Sequence, residues 1–209
     1  MRCPSTSAPH DRQPGTGGKP LIISGTCTDI SERKRLEIDL REMATFDFLT
    51  GVFNRRHFTT RLSEEIARIQ RLDAQIAFIL MLDLDHFKKI NDTYGHAAGD
   101  TVLRMLGALL REDLRKIDTV RRLGEEEFAT ILPGTSAAEA AVFSERLRQK
   151  TEATPTVQSG KTIHATVSIG MTEIHPDHAR AEDVLAQADH ALYLAKERGR
   201  NRVEIEGAW

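Results

Sequence analysis

The sequence predicts an α+β fold with a ferredoxin-like β-α-β-β-α-β core, and three observations support this prediction. A nearly unbroken apolar run at residues 76–82 has the length and composition of a buried central strand. Two short β-prone segments, 119–123 and 127–132, lie so close together that they must form an antiparallel hairpin. Helical patterns occupy the intervening positions, so the order matches a split βαβ unit with its helices on one face of the sheet.

The composition indicates one main domain that has no general affinity for polyanions. The chain has 209 residues, with 29 basic and 31 acidic side chains and a formal charge of -2, so we expect no DNA or RNA partner. Cys3 and Cys27 lack CxxC spacing, which argues against a disulfide scaffold or a zinc site and favours a reducing, cytoplasmic location. Since no run of about 18 apolar residues occurs, we expect no membrane contact by this chain itself.

The first 45 residues are predicted to form an appendage. Residues 1–19 are rich in Pro, Ser, Gly and Thr and are expected to be a disordered tail. A short β-prone run at 20–28 follows, and Asp29 with Glu32 resembles the start of a helix. This helix, over residues 31–45, has one narrow apolar stripe, formed by Leu36, Leu40 and Met43. The stripe fits either a partner helix in a dimer or the surface of its own domain.

The helices of the main domain are predicted from apolar spacing and capping residues. A helix begins at Asn54 and carries Phe58, Leu62, Ile66 and Ile69 at helical spacing. An amphipathic helix is marked by Val102, Leu103, Leu106, Leu109 and Leu110. Ser136 and Glu139 form a capping box for a helix through Leu147.

The last elements are a strand, a helix and a second strand. Apolar residues alternate with polar ones from Ile163 to Ile169, which is typical of one half-buried strand. A helix over about 181–198 should end at Gly199, a C′ glycine, and residues 202–205 can add a terminal strand.

Candidate metal-binding residues come from two separate places in the sequence. Asp83 lies at the carboxyl end of the buried strand, before a helix start whose free amides can hold a metal-bound phosphate. The hairpin carries Glu125 and Glu126, predicted as a two-residue turn between the two central strands. Because this hairpin lies beside the strand that ends at Asp83, Asp83 and Glu126 should converge, which favours Mg²⁺ or Mn²⁺. The alternatives are an ordinary turn or cap at Asp83 and a solvated loop tip at the hairpin.

Basic residues near the end of the last helix are candidates for phosphate binding. Lys196 and Arg200 lie four residues apart and, with Lys88, could balance a triphosphate. Their alternative role is to stabilise the helix C-terminus through its dipole.

Five ordered motifs extend over residues 45–203: DFLTG with NRR, DLDHFKKINDTYGHAAGD, RRLGEEEF, VSIG, and AD-x-ALY with KERGRNR. Their order and spacing resemble those of the GGDEF family of diguanylate cyclases. The resemblance implies a nucleotide cyclase/polymerase palm-like fold, with extra helices and an N-terminal signalling helix. It also implies that a homodimer, with one GTP per subunit, joins two GTP into cyclic di-GMP and releases pyrophosphate.

The resemblance also implies roles for single residues. Asp83, the backbone of Leu84, Glu126 and Glu127 would hold two divalent ions, with Glu126 assisting deprotonation of the attacking hydroxyl. Asn91 and Asp100 would bind guanine, although a cap and a turn are their simpler roles. The remaining GTP contacts would come from Gly124, the amides of His86 and Phe87, and the side chains of Lys88, Lys196 and Arg200.

Two further segments resemble parts of such proteins. Arg115 and Asp118 match the family's RxxD inhibitory site for cyclic di-GMP, the alternative being a helix-end ion pair. Residues 25–34 resemble the end of a PAS sensor domain. We therefore divide the chain into a tail (1–19), a PAS-like remnant (20–30), a helical linker (31–45) and a GGDEF domain (46–209).

Glu125 replaces the second glycine of the family's signature. Glycine there permits close backbone approach and conformations that a Cβ disfavours. A carboxylate about 5 Å from a phosphate would cost roughly 3 kcal/mol at an effective dielectric of about 20. Three hypotheses result: an active diguanylate cyclase, a catalytically silent receptor for GTP or cyclic di-GMP, and a structural dimerisation module.

Overall fold

The computed structural model describes residues 30–31, 45–72 and 76–206. Contacts divide the chain into two compact units, Met1–Glu37 and Ile38–Trp209. The predicted tail and the stripe of Leu36, Leu40 and Met43 lie outside the described residues, as does nearly all of the PAS-like segment. The sheet and the helices that pack on it belong to the second unit.

The described part of this unit has the predicted β-α-β-β-α-β order, together with a short two-stranded hairpin at residues 156–163 that was not predicted. Its elements are α1 (Arg55–Arg71), β1 (Ala77–Leu84), α2 (Phe87–Tyr94), α3 (His96–Asp113), β2 (Thr119–Arg122), β3 (Glu127–Pro133), α4 (Ala137–Ala153), β4 (Thr156–Gln158), β5 (Lys161–Ile163), β6 (Val167–Glu173), α5 (Ala181–Glu197) and β7 (Val203–Glu206). The buried strand predicted to stop before Asp83 continues through Asp83 to Leu84.

A five-stranded sheet in the order β2-β3-β1-β6-β7 forms the centre of the unit. β1 pairs antiparallel with β3 on one side and with β6 on the other, and β7 joins β6 in parallel. Within this sheet, the order β2-β3-β1-β6 is that of a ferredoxin-like sheet, which confirms the predicted fold class. Strands β4 and β5 form a separate two-stranded hairpin.

The β2-β3 hairpin differs from its prediction in two respects. β2 is an edge strand, so the hairpin joins an edge strand to an inner strand rather than two central strands. Its turn has three residues instead of two, because Leu123 N donates to Glu127 O at 2.7 Å and leaves residues 124–126 between them. The inner strand β3 does lie beside β1, as predicted.

Helices cover both faces of the sheet. Leu80 and Leu82 face a core that includes α3 and α4, whereas Ile79 and Met81 face a core built with α1 and α5. The prediction that helices pack on one face holds for the β-α-β-β-α-β unit alone, and α1 and α5 cover the opposite face. All eight residues of β1 are therefore buried.

The predicted half-buried strand at residues 163–169 is wrong. Ile163 belongs to β5, the backbone leaves the strand at residues 164–166, and β6 begins at Val167. From there β6 is buried through Thr172, because helices lie on both of its faces.

Local signals set the helix boundaries. The Asn54 side chain accepts from His57 N at 3.1 Å, and Ser136 and Glu139 form the predicted capping box. The helix that begins after Ser136 continues to Ala153, beyond the predicted end at Leu147.

The C-terminus of α5 is a Schellman motif around the predicted C′ glycine. Gly199 has φ +114°, Gly199 N donates to Lys196 O, and Arg200 N donates to Ala195 O at 3.0 Å. Arg200 and Asn201 follow with left-handed backbones, at φ 62° and 46°.

Candidate active site

The carboxyl end of β1 brings together the acidic residues that the sequence singled out. Asp83 lies opposite Glu127 in the β1-β3 register, and Leu84 N donates to Glu126 O at 3.3 Å. Asp83 is only 7% exposed, and its charge acts on the Glu126 carboxylate. The predicted convergence of Asp83 and Glu126 therefore occurs, with the hairpin turn holding Glu126 against the end of β1.

Both carboxylates have perturbed acidity. Burial raises the pKa of Asp83 above its usual value, and the charge of Asp85 adds to this effect. Burial also raises the pKa of Glu126, together with the charges of Asp83, Glu125 and Glu127. Negative charge thus accumulates at this end of the sheet without full compensation.

Two cations from the end of α5 partly offset this charge. Lys196 Nζ lies 2.8 Å from Asp83 Oδ2, and its hydrogen bond and charge lower the pKa of Asp83. The charge of Arg200 acts in the same direction. Both side chains are accessible, since Lys196 is half-buried and Arg200 is exposed.

The donor set suits a hard divalent cation. Asp83, Glu126 and Glu127 supply carboxylate oxygens and Leu84 a backbone carbonyl, the ligand types that Mg²⁺ and Mn²⁺ prefer. Within the described ranges, no three His, Cys, Asp or Glu side chains are already arranged around a common metal position. An ion here would therefore share its coordination between these few protein oxygens and those of a bound phosphate.

Asp85 anchors the loop that follows β1. This residue is 4% exposed and accepts three hydrogen bonds: from Thr166 Oγ1 at 2.7 Å, Ser168 Oγ at 2.6 Å and Asn201 N at 3.0 Å. It therefore ties the end of β1 to the start of β6 and to the segment after α5. This role was not predicted from the sequence. The available signal was that polar Thr166 and Ser168 lie on either side of Val167, at the start of β6.

The N-terminus of α2 lies directly beyond this anchor. His86 precedes the helix with a left-handed backbone at φ 56° and makes no side-chain cap. The amides of His86 and Phe87 are therefore at a helix N-terminus, where amides lack intrahelical acceptors. Lys88 is exposed in the first turn of α2, and in the described residues it forms no ion pair.

The proposed guanine-binding residues meet where α2 and α3 join at Gly95. Asp100 is half-exposed in the first turns of α3, with Arg104 4.0 Å away. The Asn91 side chain packs over Gly99, where a Cβ would collide with the Asn91 amide. Gly99 thus allows Asn91 and Asp100 to present an amide and a carboxylate at adjacent positions.

A second candidate site contains Arg115 and Asp118. Arg115 Nε and Nη2 donate to the Asp118 carboxylate at 3.1 and 3.0 Å, and Nη2 also donates to Thr135 Oγ1 at 2.6 Å. Arg115 directly follows the C-cap residue Leu114 of α3, and its partner Asp118 is buried in the turn that leads to β2, so the pair lies at a helix end but only one of its members is at the surface. It borders a cavity of about 410 Å³ that is also lined by Asp113, Glu139, Phe143 and Arg146.

Arg146 is a basic residue of this cavity that sequence reasoning missed. Its guanidinium lies 5.6 Å from the centre of the Phe143 ring on α4. In the sequence Arg146 is one of three basic residues on this helix, with Arg148 and Lys150, and such residues are usually solvated.

No membrane-crossing helix is found in the described part of the chain, where none is long and apolar enough for that purpose.

Comparisons with known proteins agree with this fold. Residues 44–202 match the family described as "Diguanylate cyclase, GGDEF domain". "Diguanylate cyclase A" of Treponema denticola is 40% identical over 168 residues, which cover 79% of this chain and 45% of that protein. This chain thus spans less than half the length of that relative.

Two solved structures have the same fold. One is the coiled coil and GGDEF domain of DgcB from Caulobacter crescentus in complex with c-di-GMP. It is 32% identical, with a TM-score of 0.78, and the match covers 84% of this chain and 93% of that one. The other, the active GGEEF domain of a diguanylate cyclase from Vibrio cholerae, is 32% identical with a TM-score of 0.68, covering 75% and 98% of the two chains. The chain therefore belongs to the GGDEF family, and the description of that family names diguanylate cyclases.

Proposed function

We propose that the chain is an active diguanylate cyclase domain that condenses two GTP into cyclic di-GMP and pyrophosphate. The observation that carries the proposal is the buried carboxylate of Asp83 beside Glu126, with Lys196 and Arg200 reaching the same point. Acidic and basic groups placed together at one strand end suit a metal-bound triphosphate better than a solvated loop.

Each protein group has a role in this reaction. The amides of His86 and Phe87, together with Lys196 and Arg200, hold the triphosphate. Asn91 and Asp100 bind the guanine edge, which favours guanine in both halves of the product. The Asp83 and Glu126 oxygens would hold Mg²⁺ or Mn²⁺, which would supply positive charge to the phosphates.

The reaction requires two copies of the site that face each other. The 3′-hydroxyl of each GTP attacks the α-phosphorus of the other, so two P–O bonds form, the two bonds between α- and β-phosphate break, and two pyrophosphates leave. The Glu126 carboxylate, which lies at the same strand end as the metal ligand Asp83, would accept the hydroxyl proton. Catalysis then depends mainly on in-line positioning and charge neutralisation.

A product assay tests this proposal. Purified protein with GTP and Mg²⁺ should yield cyclic di-GMP by chromatography, and Glu126→Gln should reduce the rate by at least about a hundredfold. Glu112→Gln, an exposed site on α3, removes the same charge elsewhere and should leave the rate unchanged. A Glu126→Gln variant with full activity would contradict the proposed role.

Glu125 favours a second candidate function, a silent receptor for GTP or cyclic di-GMP. Its charge contributes to the raised pKa of Glu126 and would therefore also act on a nucleotide bound there. Nucleotide binding in calorimetry without product formation would support the receptor.

We further propose that the cavity beside Arg115 and Asp118 binds the product and inhibits synthesis. Arg115 and Arg146 would contact the phosphodiesters, and Asp118 would accept from guanine. Arg115→Ala should relieve inhibition by added cyclic di-GMP.

A further inference from the structure

We propose that Asp113 sets the affinity of the cavity beside Arg115 by competing with a bound phosphodiester for Arg146. This inference rests on the product-binding role proposed for that cavity. It adds a residue outside the RxxD sequence that determines how tightly the site holds its ligand.

Asp113 is placed to hold two cations at once. It is the last residue of α3, and its side chain is 7% exposed. Its Oδ1 lies 2.5 Å from Lys150 Nζ, whereas Oδ2 lies 3.4 Å from Arg146 Nε. Among the described residues Oδ2 has no hydrogen-bond partner, so its contact with Arg146 is a charge contact without hydrogen-bond geometry.

Arg146 can leave this contact at low cost. Its side chain is 50% exposed, and the Phe143 ring supports the guanidinium beside the cavity. When Arg146 turns towards a ligand, Lys150 remains on Asp113 as its counter-charge. Asp113 therefore acts on Arg146 as a competitor rather than as its anchor.

The charges around the cavity oppose an anionic ligand in the free protein. Three carboxylates and two guanidiniums line it, namely Asp113, Asp118, Glu139, Arg115 and Arg146. Each guanidinium already faces a carboxylate, Arg115 on Asp118 and Arg146 on Asp113. A ligand with two phosphodiesters must displace the Arg146 contact and also approach the remaining charge of Asp113.

Replacement of Asp113 by asparagine tests the inference. In calorimetry with cyclic di-GMP on the whole chain, Asp113→Asn should lower Kd about threefold to tenfold, because the charge that competes with the ligand for the half-exposed Arg146 is removed. Glu112→Gln removes the same charge from the preceding residue, which does not line the cavity, and should leave Kd unchanged.

Lys150→Met gives an independent readout with the opposite sign. Without Lys150, Asp113 is left to Arg146 alone, so Kd should rise by a similar factor. If Asp113→Asn fails to fold, the Kd of Lys150→Met alone tests the inference, and an unchanged or lower Kd would contradict it.

The outcomes separate this inference from the function on which it rests. If the wild type binds and Arg115→Ala does not, the product site stands, and an unchanged or weaker Kd for Asp113→Asn then overturns the role of Asp113 alone. If Arg115→Ala binds as tightly as the wild type, or if no variant binds, the product site itself is rejected and the inference fails with it. Binding by Asp113→Asn where the wild type binds too weakly to measure supports the inference.

Discussion

At the scale of single residues, Glu125 is where the chain departs from the family signature. Glycine at this position would permit close backbone approach and conformations that a Cβ disfavours, but Glu125 is not among the described residues with positive φ. Its carbonyl accepts from Arg122 Nη2 at 2.8 Å in an ordinary conformation. Glu125 therefore does not need a left-handed backbone, and two differences from glycine remain: the charge of its exposed carboxylate and the bulk of a side chain where the backbone could otherwise approach a nucleotide.

Removal of that charge should raise the rate of cyclic di-GMP synthesis. We expect Glu125→Gly and Glu125→Gln to increase kcat by about tenfold or more, because both remove a carboxylate that repels phosphate. The measurement is steady-state product formation at saturating Mg²⁺ and GTP. If glycine accelerates the reaction and glutamine does not, close backbone approach is the cause instead.

A second prediction for a single residue concerns Asp85, which is 4% exposed and accepts hydrogen bonds from three donors. Asp85→Ala leaves two hydroxyls and the Asn201 amide without their acceptor and should lower the free energy of unfolding by about 3 kcal/mol. Urea unfolding measures this loss. Asp92→Ala, at an exposed position of α2, should change stability by less than about 0.5 kcal/mol.

At the scale of elements, Gly170 determines how closely α5 packs on β6. A Cβ at this position would lie under 3.0 Å from backbone atoms of Ala188, Ala191 and Leu192. Backbone atoms cannot rotate away, so a larger residue must push the helix off the sheet. Since α5 also carries Lys196, the packing of this helix controls the position of a candidate phosphate ligand.

Gly170→Ala should therefore reduce stability and activity together. We expect a loss of about 2–4 kcal/mol in the free energy of unfolding and a lower kcat/KM. Gly134→Ala is the control, because nothing lies within 4 Å of its Cβ position and only its left-handed φ of +59° opposes alanine. That change should cost about 1 kcal/mol without altering kcat/KM. Equal activity losses in both variants would contradict the role of α5 packing.

Helix starts could be predicted from the sequence, whereas some strand boundaries could not. Local signals fixed the start of α1 at Asn54 and that of α4 at Ser136, because a cap needs only residues within one turn. The β4-β5 hairpin was not predicted from the sequence. Its turn residues, Ser159 and Gly160, both have positive φ, at 51° and 76°, as a tight hairpin turn requires. The apolar residues on either side of residues 164–166 keep the same alternation, so periodicity could not show that the backbone leaves the strand there.

At the scale of the whole molecule, Arg148 links α4 to the segment after α5. It donates to Glu145 at 2.8 Å, to Glu152 at 2.8 Å and to Asn201 Oδ1 at 2.7 Å. The hydrogen bonds from Arg148 hold the pKa of both glutamates below its usual value. The network thus connects the α3-α4 side of the sheet to the residues that follow Arg200.

This network predicts how stability depends on pH. A lowered folded-state pKa contributes stability that is present above the unfolded pKa and is lost as pH falls through the folded pKa. The Tm difference between wild type and Arg148→Met should be constant above about pH 5 and shrink below about pH 4. Calorimetric melting from pH 3 to pH 7 measures it. Arg61→Met removes an exposed pair with Glu64 and should give a difference near zero at every pH.

The site was less accessible from the sequence than the fold. Asp83 and Glu126 could be predicted to meet because Asp83 lies at the end of β1, Glu126 lies in the turn before β3, and these two strands were predicted to be neighbours. The partners of Asp113, by contrast, lie on α4, and only the packing of α3 against α4 brings them together. Such pairs depend on helix orientation, for which the sequence contains no local signal.

The contact between Lys196 and Asp83 joins residues that are far apart along the chain. During synthesis on the ribosome, the acidic strand end emerges well before the helix that bears its counter-cation. A nascent chain that stops before α5 would expose the α1 side of the sheet and leave the carboxylates without Lys196. Under the proposed function, no second messenger could be made until translation of the domain is almost finished.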